Sequence, residues 1–200
     1  MLNFVNSFFK KLIRYIVLNN VSLEELEHRK STNFRNRFIK LKNTTIDESF
    51  SYIEPFFFKQ EGDFELLKIG KNVTLKKWCS LLMYKNSKLI IADNVFFNNY
   101  CSINCLEKIE IGENTLFGEG VKVYDHNHNH SFVANTLTID RNEFSTAPIK
   151  IGRNCWIGSN VVILKGVEIG DNVIVGANCL IYKSIPANST VKHSEVLIIN

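Results

Sequence analysis

Several classes of protein are excluded by what this sequence lacks. Its net charge is only +4 over 200 residues, and its basic side chains are scattered without a nucleic-acid-binding motif, so we expect no nucleic-acid partner. Its cysteines number five, and an odd set in an intracellular chain argues against a disulfide framework. The close pair in CSINC (Cys101–Cys105) lacks the spacing of a zinc knuckle. The 45% of apolar residues is ample for one packed domain.

The first twenty residues, MLNFVNSFFKKLIRYIVLNN, mix apolar and basic side chains. The segment is too short and too charged to span a bilayer. It is not typical of a signal peptide, because its charges fall inside the apolar stretch and no small-residue cleavage site follows. Its apolar residues recur at helical spacing, which predicts an amphipathic helix. This helix either docks on the main domain or lies in a membrane interface. We expect a cytoplasmic protein, located at the inner face of the membrane in the second case.

From Ile151 onward the sequence divides into units of six residues: IGRNCW, IGSNVV, ILKGVE, IGDNVI, VGANCL and IYKSIP. The first position is aliphatic in each unit, and the fifth is apolar and usually small. This period predicts a chain that turns a corner every six residues and directs both positions into a narrow prism. The register extends upstream, with interruptions, to Ile69. Three units make one triangular coil, so about five coils fit between Ile69 and Val191 in an all-β, parallel solenoid.

This register predicts three parts of the chain. Residues 1–68 form a helical N-terminal segment and lead-in, residues 69–191 form the solenoid, and residues 192–200 form a C-terminal tail. Residues 129–150 depart from the repeat and are expected to protrude as a loop, and a loop of this length in a compact domain is usually functional.

Four cysteines occupy the small inward position of the repeat, so we interpret them as inert packing rather than redox or nucleophilic groups. They are Cys79, Cys101, Cys155 and Cys179.

Three of the five histidines alternate in the run VYDHNHNHSF, residues 123–132. On an extended strand, His126, His128 and His130 would point to the same side. The run is therefore open to three interpretations: a metal site, a source of a catalytic base, or a solvated polar edge. Asp125, directly before the run, is a candidate to orient an imidazole ring. The hexad VYDHNH ends at His128, where the chain is expected to leave the solenoid.

The run IKIGRNCWIGSNVVILKGVEIGDNVIVGANCLIYKSIPANSTV resembles the hexapeptide-repeat acyltransferases. It is most similar to the maltose and galactoside O-acetyltransferase-like group and to the capsule and lipopolysaccharide O-acetyltransferases. The resemblance covers about residues 69–191. It implies a left-handed parallel β-helix, a homotrimer with active sites between subunits, acetyl-CoA as the donor, and a sugar or polysaccharide as the acceptor. We expect no metal, because the alternating histidines lack the ligand spacing of the γ-class carbonic anhydrases.

The resemblance also implies site residues. In these enzymes the histidine base lies sixteen residues after a hexad glycine, here Gly112, which selects His128 and leaves His126 as the alternative. Asn98 matches an acceptor-binding asparagine. Four residues match positions beside the donor: Trp156, Ser159, Ala177 and Lys183. The ending NSTVKHSEVLIIN departs from the family, which usually has a basic tail there.

Acetyl transfer to a sugar hydroxyl needs a base that removes the hydroxyl proton. We therefore expect an O-acetyltransferase that modifies a surface polysaccharide or its precursor by direct transfer. The alternative is an N-acetyltransferase for an amino sugar or an antibiotic. A zinc protein like the γ-class carbonic anhydrases and a non-catalytic solenoid are the remaining hypotheses.

Overall fold

The computed structural model describes Phe38 and residues 40–194. The expected N-terminal helix and the end of the C-terminal tail lie outside these residues. The chain divides into two units, residues 1–42 and 43–200. In the first unit, Leu41 N donates a hydrogen bond to Phe38 O (3.3 Å). Within the part of the chain that the structure describes, no helix combines the length and hydropathy needed to traverse a lipid bilayer.

The second unit is a parallel β-helix of six coils with three strands each, followed by part of a seventh coil. Coils 1 to 3 contain β1 (Thr44–Ile46), β2 (Ser51–Tyr52), β3 (Phe56–Glu61), β4 (Leu66–Ile69), β5 (Thr74–Leu75), β6 (Cys79–Tyr84), β7 (Lys88–Ile91), β8 (Phe96–Phe97) and β9 (Ser102–Cys105). Coils 4 to 6 contain β10 (Lys108–Ile111), β11 (Leu116–Phe117), β12 (Lys122–Tyr124), β15 (Ile149–Ile151), β16 (Trp156–Ile157), β17 (Val162–Leu164), β18 (Glu168–Ile169), β19 (Ile174–Val175) and β20 (Leu180–Ile181). After coil 4 come β13 (His126–Val133) and β14 (Thr136–Thr146), and β21 (Thr190–Val191) ends the second sheet.

Equivalent strands of successive coils pair in parallel and in register, which confirms the predicted repeat. In the first sheet the leading residues of the hexads form one buried column, namely Ile69, Ile91, Ile111, Ile151 and Ile169. The four cysteines predicted to point inward are all buried. Aliphatic residues alternate with outward polar ones along the strands because only one side of each strand faces the core.

The β-helix begins one coil upstream of the boundary predicted at Ile69. Coil 1 lies inside the segment expected to be a lead-in, and its strand β3 pairs with β6 of coil 2 from Phe56↔Cys79 to Glu61↔Tyr84. The repeat is hard to recognise there because Phe50 and Phe56, 2% and 5% exposed, point inward where later coils have small residues.

The first corner, between the first and second sheets, is closed by an asparagine in coils 2 to 7. These six residues have a positive φ between 54° and 60°: Asn72, Asn94, Asn114, Asn154, Asn172 and Asn188. Asparagine tolerates this left-handed conformation better than most residues. Each side-chain amide donates to the next one at 3.0–3.2 Å, so the corner carries a continuous amide ladder.

The protruding segment is a β-hairpin. Strands β13 and β14 pair antiparallel with each other, and the turn between them has positive φ at Ala134 and Asn135, as a two-residue type I′ turn requires. The hairpin starts at His126, three residues before the predicted loop. The repeat predicted that the coil would end at His128, but it ends at Asp125, and all three alternating histidines lie on β13.

Candidate active site

Asp125 directs the chain out of the β-helix. Its side chain is 0% exposed, in the inward column of Cys105 and Met83. The carboxylate accepts hydrogen bonds from three backbone N–H groups at the third corner, where the chain passes from the third sheet to the first sheet of the next coil. The donors, at 2.8–3.0 Å, are Leu106, Glu107 and Lys108. Its backbone oxygen accepts from Ala147 N (3.0 Å), where the chain returns. Asp125 therefore holds together both ends of the hairpin and the corner beneath it.

His126 lies just outside this corner. Its side chain is 15% exposed, and Nδ1 is 3.5 Å from Asp125 Oδ1 without the geometry of a hydrogen bond. The imidazole contacts the rings of Tyr124 and Phe144, with centroid distances of 6.1 and 5.4 Å. His126 is thus enclosed by aromatic side chains and the buried carboxylate.

His128 lies two residues further out and is exposed. Its Nδ1 is 2.9 Å from the backbone oxygen of Asp140 on β14. A carbonyl oxygen only accepts hydrogen bonds, so Nδ1 is the donor and carries the proton. In the neutral ring Nε2 then keeps its lone pair. The ring also packs on Phe144, with 4.6 Å between centroids.

Asp140 and Phe144 were not identified from the sequence, although both shape the surroundings of His128. The pairing of the hairpin shifts between His128↔Phe144 and His130↔Ile139, so extra residues bulge from β14. Asp140 Oδ1 stabilises the bulge by accepting from the N–H groups of the second and third residues after it, at 2.8 and 3.0 Å. The signal for this bulge was the Asp-Arg-Asn stretch, because aspartate often bonds to backbone two residues on.

One face of the hairpin forms an apolar groove of about 420 Å³ next to the hydrogen bond between His128 Nδ1 and Asp140 O. Its lining residues are His128, His130, Phe132, Leu137 and Ile139. The last three of these are at least half exposed. The candidate base therefore borders a surface that a substrate or another subunit can cover.

The other predicted residues lie on other parts of the β-helix. Asn98 begins the second corner, between the second and third sheets, and its Oδ1 accepts from Asn99 N (2.9 Å). Ser159 and Ala177 lie at the same corner in coils 5 and 6. Trp156 is 56% exposed on the second sheet. Exposed Lys183 lies with Nζ 5.5 Å from the ring of Tyr182.

The structure thus brings Asp125, His126 and His128 together. Ser159 and Ala177 lie at the second corner, away from the third sheet, whereas Lys183 follows the third sheet in coil 6, in register with Asp125 of coil 4. The histidines lie beyond the third sheet, whereas Trp156 belongs to the second sheet. Within residues 38 and 40–194, no group of three His, Cys, Asp or Glu side chains is arranged to hold a metal ion.

Residues 148–183 match the family model described as bacterial transferase hexapeptide (six repeats). Over 142 residues the chain is 32% identical to WbbJ of Escherichia coli K12, covering 68% of this chain and 71% of that protein. The chain belongs to the hexapeptide-repeat acetyltransferases. WbbJ is described as a provisional O-acetyl transferase of lipopolysaccharide biosynthesis. WcaF of the same organism, provisionally a colanic acid biosynthesis acetyltransferase, is 29% identical and covers 66% of this chain and 68% of its own.

Solved structures show the same fold. A hexapeptide-repeat acetyltransferase from Vibrio cholerae, complexed with acetyl-CoA, has a TM-score of 0.51 at 23% identity and covers 82% of this chain and 75% of its own. A mutant N-acyltransferase from Bacillus cereus, complexed with dTDP-4-amino-4,6-dideoxyglucose and coenzyme A, has a TM-score of 0.52 at 20% identity. It covers 76% of this chain and 80% of its own.

Proposed function

We propose that this hexapeptide-repeat acetyltransferase transfers acetyl from acetyl-CoA to a sugar hydroxyl of a surface polysaccharide or its precursor, with His128 as the general base. The hydrogen bond from His128 Nδ1 to Asp140 O (2.9 Å) is the observation that carries the proposal. The similarity to WbbJ and WcaF, both named for polysaccharide biosynthesis, supports the class of acceptor.

The reaction needs one proton transfer through the imidazole. As the sugar oxygen attacks the thioester carbonyl, Nε2 of His128 takes the hydroxyl proton, while Nδ1 continues to donate to Asp140 O. The tetrahedral intermediate collapses to the ester and the CoA thiolate, which takes the proton from the imidazolium. The transfer is direct, because all five cysteines are buried and unsuited to carry the acetyl group.

His126 is the alternative base, and its surroundings favour it less. Its Nδ1 is buried beside Asp125, and its ring is 15% exposed between two aromatic side chains. A substrate hydroxyl reaches the exposed ring of His128 more easily. A base must come within hydrogen-bond reach of the proton that it abstracts.

The proposal includes a homotrimer in the cytoplasm. Trp156, Ser159, Ala177 and Lys183 would line the donor groove of one subunit and Asn98 would contact the acceptor, while the hairpin of a neighbour contributes His128. Sedimentation of the full chain is expected to give three times the 23.0 kDa chain mass. The N-terminal segment, outside the described residues, would contact the inner membrane face. Deletion of residues 1–18 should then abolish flotation with anionic liposomes.

The test of the base is release of free thiol from acetyl-CoA with a panel of sugar acceptors. His128→Asn is the sharpest variant, because its amide nitrogen can still donate to Asp140 O while the basic Nε2 is lost. We expect kcat to fall by about 10²- to 10⁴-fold. His126→Ala should fall less, and a larger loss in His126→Ala than in His128→Asn would overturn the assignment.

The stability of the product shows whether an oxygen or a nitrogen of the acceptor attacks the thioester. An acetyl ester is removed by mild alkali or hydroxylamine, whereas an amide survives. We expect a labile product from hydroxyl acceptors and no advantage for amino sugars. A stable product formed preferentially with an amino sugar would indicate an N-acetyltransferase instead.

A further inference from the structure

Aromatic side chains replace small residues at the second corner of the early coils. Trp78 and Tyr100 have φ values of 64° and 62°, and the equivalent corners of the later coils carry Gly120, Asn160 and Asn178. The backbone contacts repeat along this corner, since the N–H of each such residue in coils 3 to 6 donates to the corner of the coil before it at 2.7–3.0 Å. The backbone geometry is therefore the same throughout, and only the side chains change.

Tryptophan and tyrosine are poor choices for this geometry. A positive φ suits glycine and asparagine and strains a bulky residue. Burial does not compensate here, because Trp78 and Tyr100 are 47% and 51% exposed. Strained residues that persist on a surface are concentrated at functional sites.

With Phe57, which is 51% exposed on β3, these residues form one continuous surface that we call the aromatic strip. The rings of Trp78 and Tyr100 are parallel within 4°, with centroids 6.4 Å apart. The Phe57 and Trp78 centroids are 6.1 Å apart. The strip therefore runs along the β-helix axis over coils 1 to 3, one ring per coil.

The strip begins beside a residue of the proposed acceptor site. Asn98 lies two residues before Tyr100 on the same corner, and Lys122 Nζ donates to Tyr100 O (2.9 Å), which further holds this corner. A polymer whose reacting sugar contacts Asn98 has neighbouring sugar units that extend along the corner. In one direction those units meet Tyr100, Trp78 and Phe57 in turn.

We propose that the aromatic strip binds the sugar units of the acceptor chain that flank the unit to be acetylated. The inference rests on the proposed function and narrows its substrate class to an oligosaccharide or polysaccharide rather than a free monosaccharide. The face of an aromatic ring is electronegative, so it attracts the C–H groups on the apolar face of a sugar ring. Successive exposed rings at a regular spacing suit a repeating chain.

A second copy of this chain is a weaker candidate for the strip. Three half-exposed aromatic side chains offer about 300 Å² of surface, whereas a stable interface needs about 800 Å² per partner. A glycan needs much less area for weak, repeated contacts, so the strip fits it better.

The variants Trp78→Asn and Tyr100→Asn, alone and combined, test the strip. Asparagine suits a left-handed corner, as Asn160 and Asn178 demonstrate, and those two side chains are already linked at 3.2 Å. We expect the melting temperature to stay the same or rise. Trp78→Gly provides a second strain-free variant, since glycine already occupies this corner at Gly120. The control is Leu180→Asn, which replaces a 55% exposed apolar residue on β20 in coil 6.

Binding is measured by retardation in native gels that contain dextran, galactomannan, alginate or xanthan, using full-length protein with the His128→Asn exchange. This background separates binding from turnover. The proposed role of the strip can therefore be refuted without refuting His128 as the base, and the assignment of His128 can be refuted without refuting the strip. We expect at least one polymer to retard the parent and the Leu180→Asn control, and the double variant to bind it at least about tenfold more weakly.

Kinetics of the active enzyme add a second readout. With a polymeric acceptor the double variant should have a raised KM and an unchanged kcat, whereas thiol release with a monosaccharide should not change. Retardation of the parent by none of the polymers, or equal retardation of the double variant, overturns the proposal. A fall in melting temperature, or a smaller sedimentation coefficient, also overturns it and would mark the strip as a structural or subunit contact.

Discussion

Replacement of Asp125 by alanine should destabilise the β-helix strongly. The substitution removes the acceptor for the N–H groups of Leu106, Glu107 and Lys108, which lie 2.8–3.0 Å from a carboxylate that is 0% exposed. A hydrogen bond to a charged group contributes about 1.5–3 kcal/mol. Water can reach part of this corner once the side chain is gone, so we take the lower end for each bond. The expected loss in unfolding free energy is about 3–5 kcal/mol.

Asp125→Asn should cost about half as much, because one oxygen still accepts while the amide group faces a backbone N–H. The measurement is urea unfolding followed by circular dichroism. Amide hydrogen exchange adds a local readout, since the N–H groups of residues 106–108 should lose protection before those of the buried isoleucine column. The matched control is Asp93→Ala, which removes one exposed hydrogen bond to Lys71 N (2.8 Å) and should cost less than about 1 kcal/mol.

Two results would refute this reasoning. A loss below about 1 kcal/mol in Asp125→Ala, with unchanged exchange at residues 106–108, would mean that the carboxylate does not hold the corner. A large fall in kcat at unchanged stability would show instead that Asp125 acts on a histidine, as its position before the histidine run first indicated.

Three further outcomes are expected. Thr115→Val keeps the shape but loses the bonds from Thr115 Oγ1 to Gly152 O (2.9 Å) and from Cys155 N to Thr115 Oγ1 (3.2 Å), so the urea midpoint should fall by the equivalent of about 1–2 kcal/mol. Gly112→Ala should cost about 2–3 kcal/mol or prevent folding, because a Cβ at this position would lie 2.6 Å from the carbonyl carbon of Gly152. Burial raises the pKa of the Cys105 thiol above its ordinary value of 9.0, so the unfolded chain releases this proton first and stability should fall as pH rises above about 9. In a pH series of urea midpoints, Cys105→Ala should show a shallower fall, and identical slopes would contradict this account.

Much of the fold could be read from the repeat. A period of six with an aliphatic first residue predicts which side chains form the core, because each coil must present the same small cross-section to the next. The column from Ile69 to Ile169 follows that prediction. Coil 1 escaped it because Phe50 and Phe56 fill the inward positions with rings.

The candidate site was predicted less completely. The histidine run was visible, but counting in sixes assigned His128 to the end of a coil, whereas the chain leaves at Asp125. A period cannot reveal this exit, because it depends on a carboxylate that bonds to backbone groups some twenty residues earlier in the chain. Asp140 was not predicted for the same reason, because its carbonyl oxygen comes close to His128 only when β13 and β14 pair.

The six-residue repeat was therefore sufficient to predict the parallel β-helix and its core, and the resemblance of that repeat to the hexapeptide-repeat acyltransferases predicted the family. Each six-residue unit has an aliphatic first residue and an apolar, usually small fifth residue. Because this pattern recurs along the chain, the core positions can be recognised from the sequence. Only the tertiary structure decided which atoms surround each histidine and which rings line up along the second corner. Those relations join residues of different coils, or of two strands with a bulge between them, and no spacing along the chain records them.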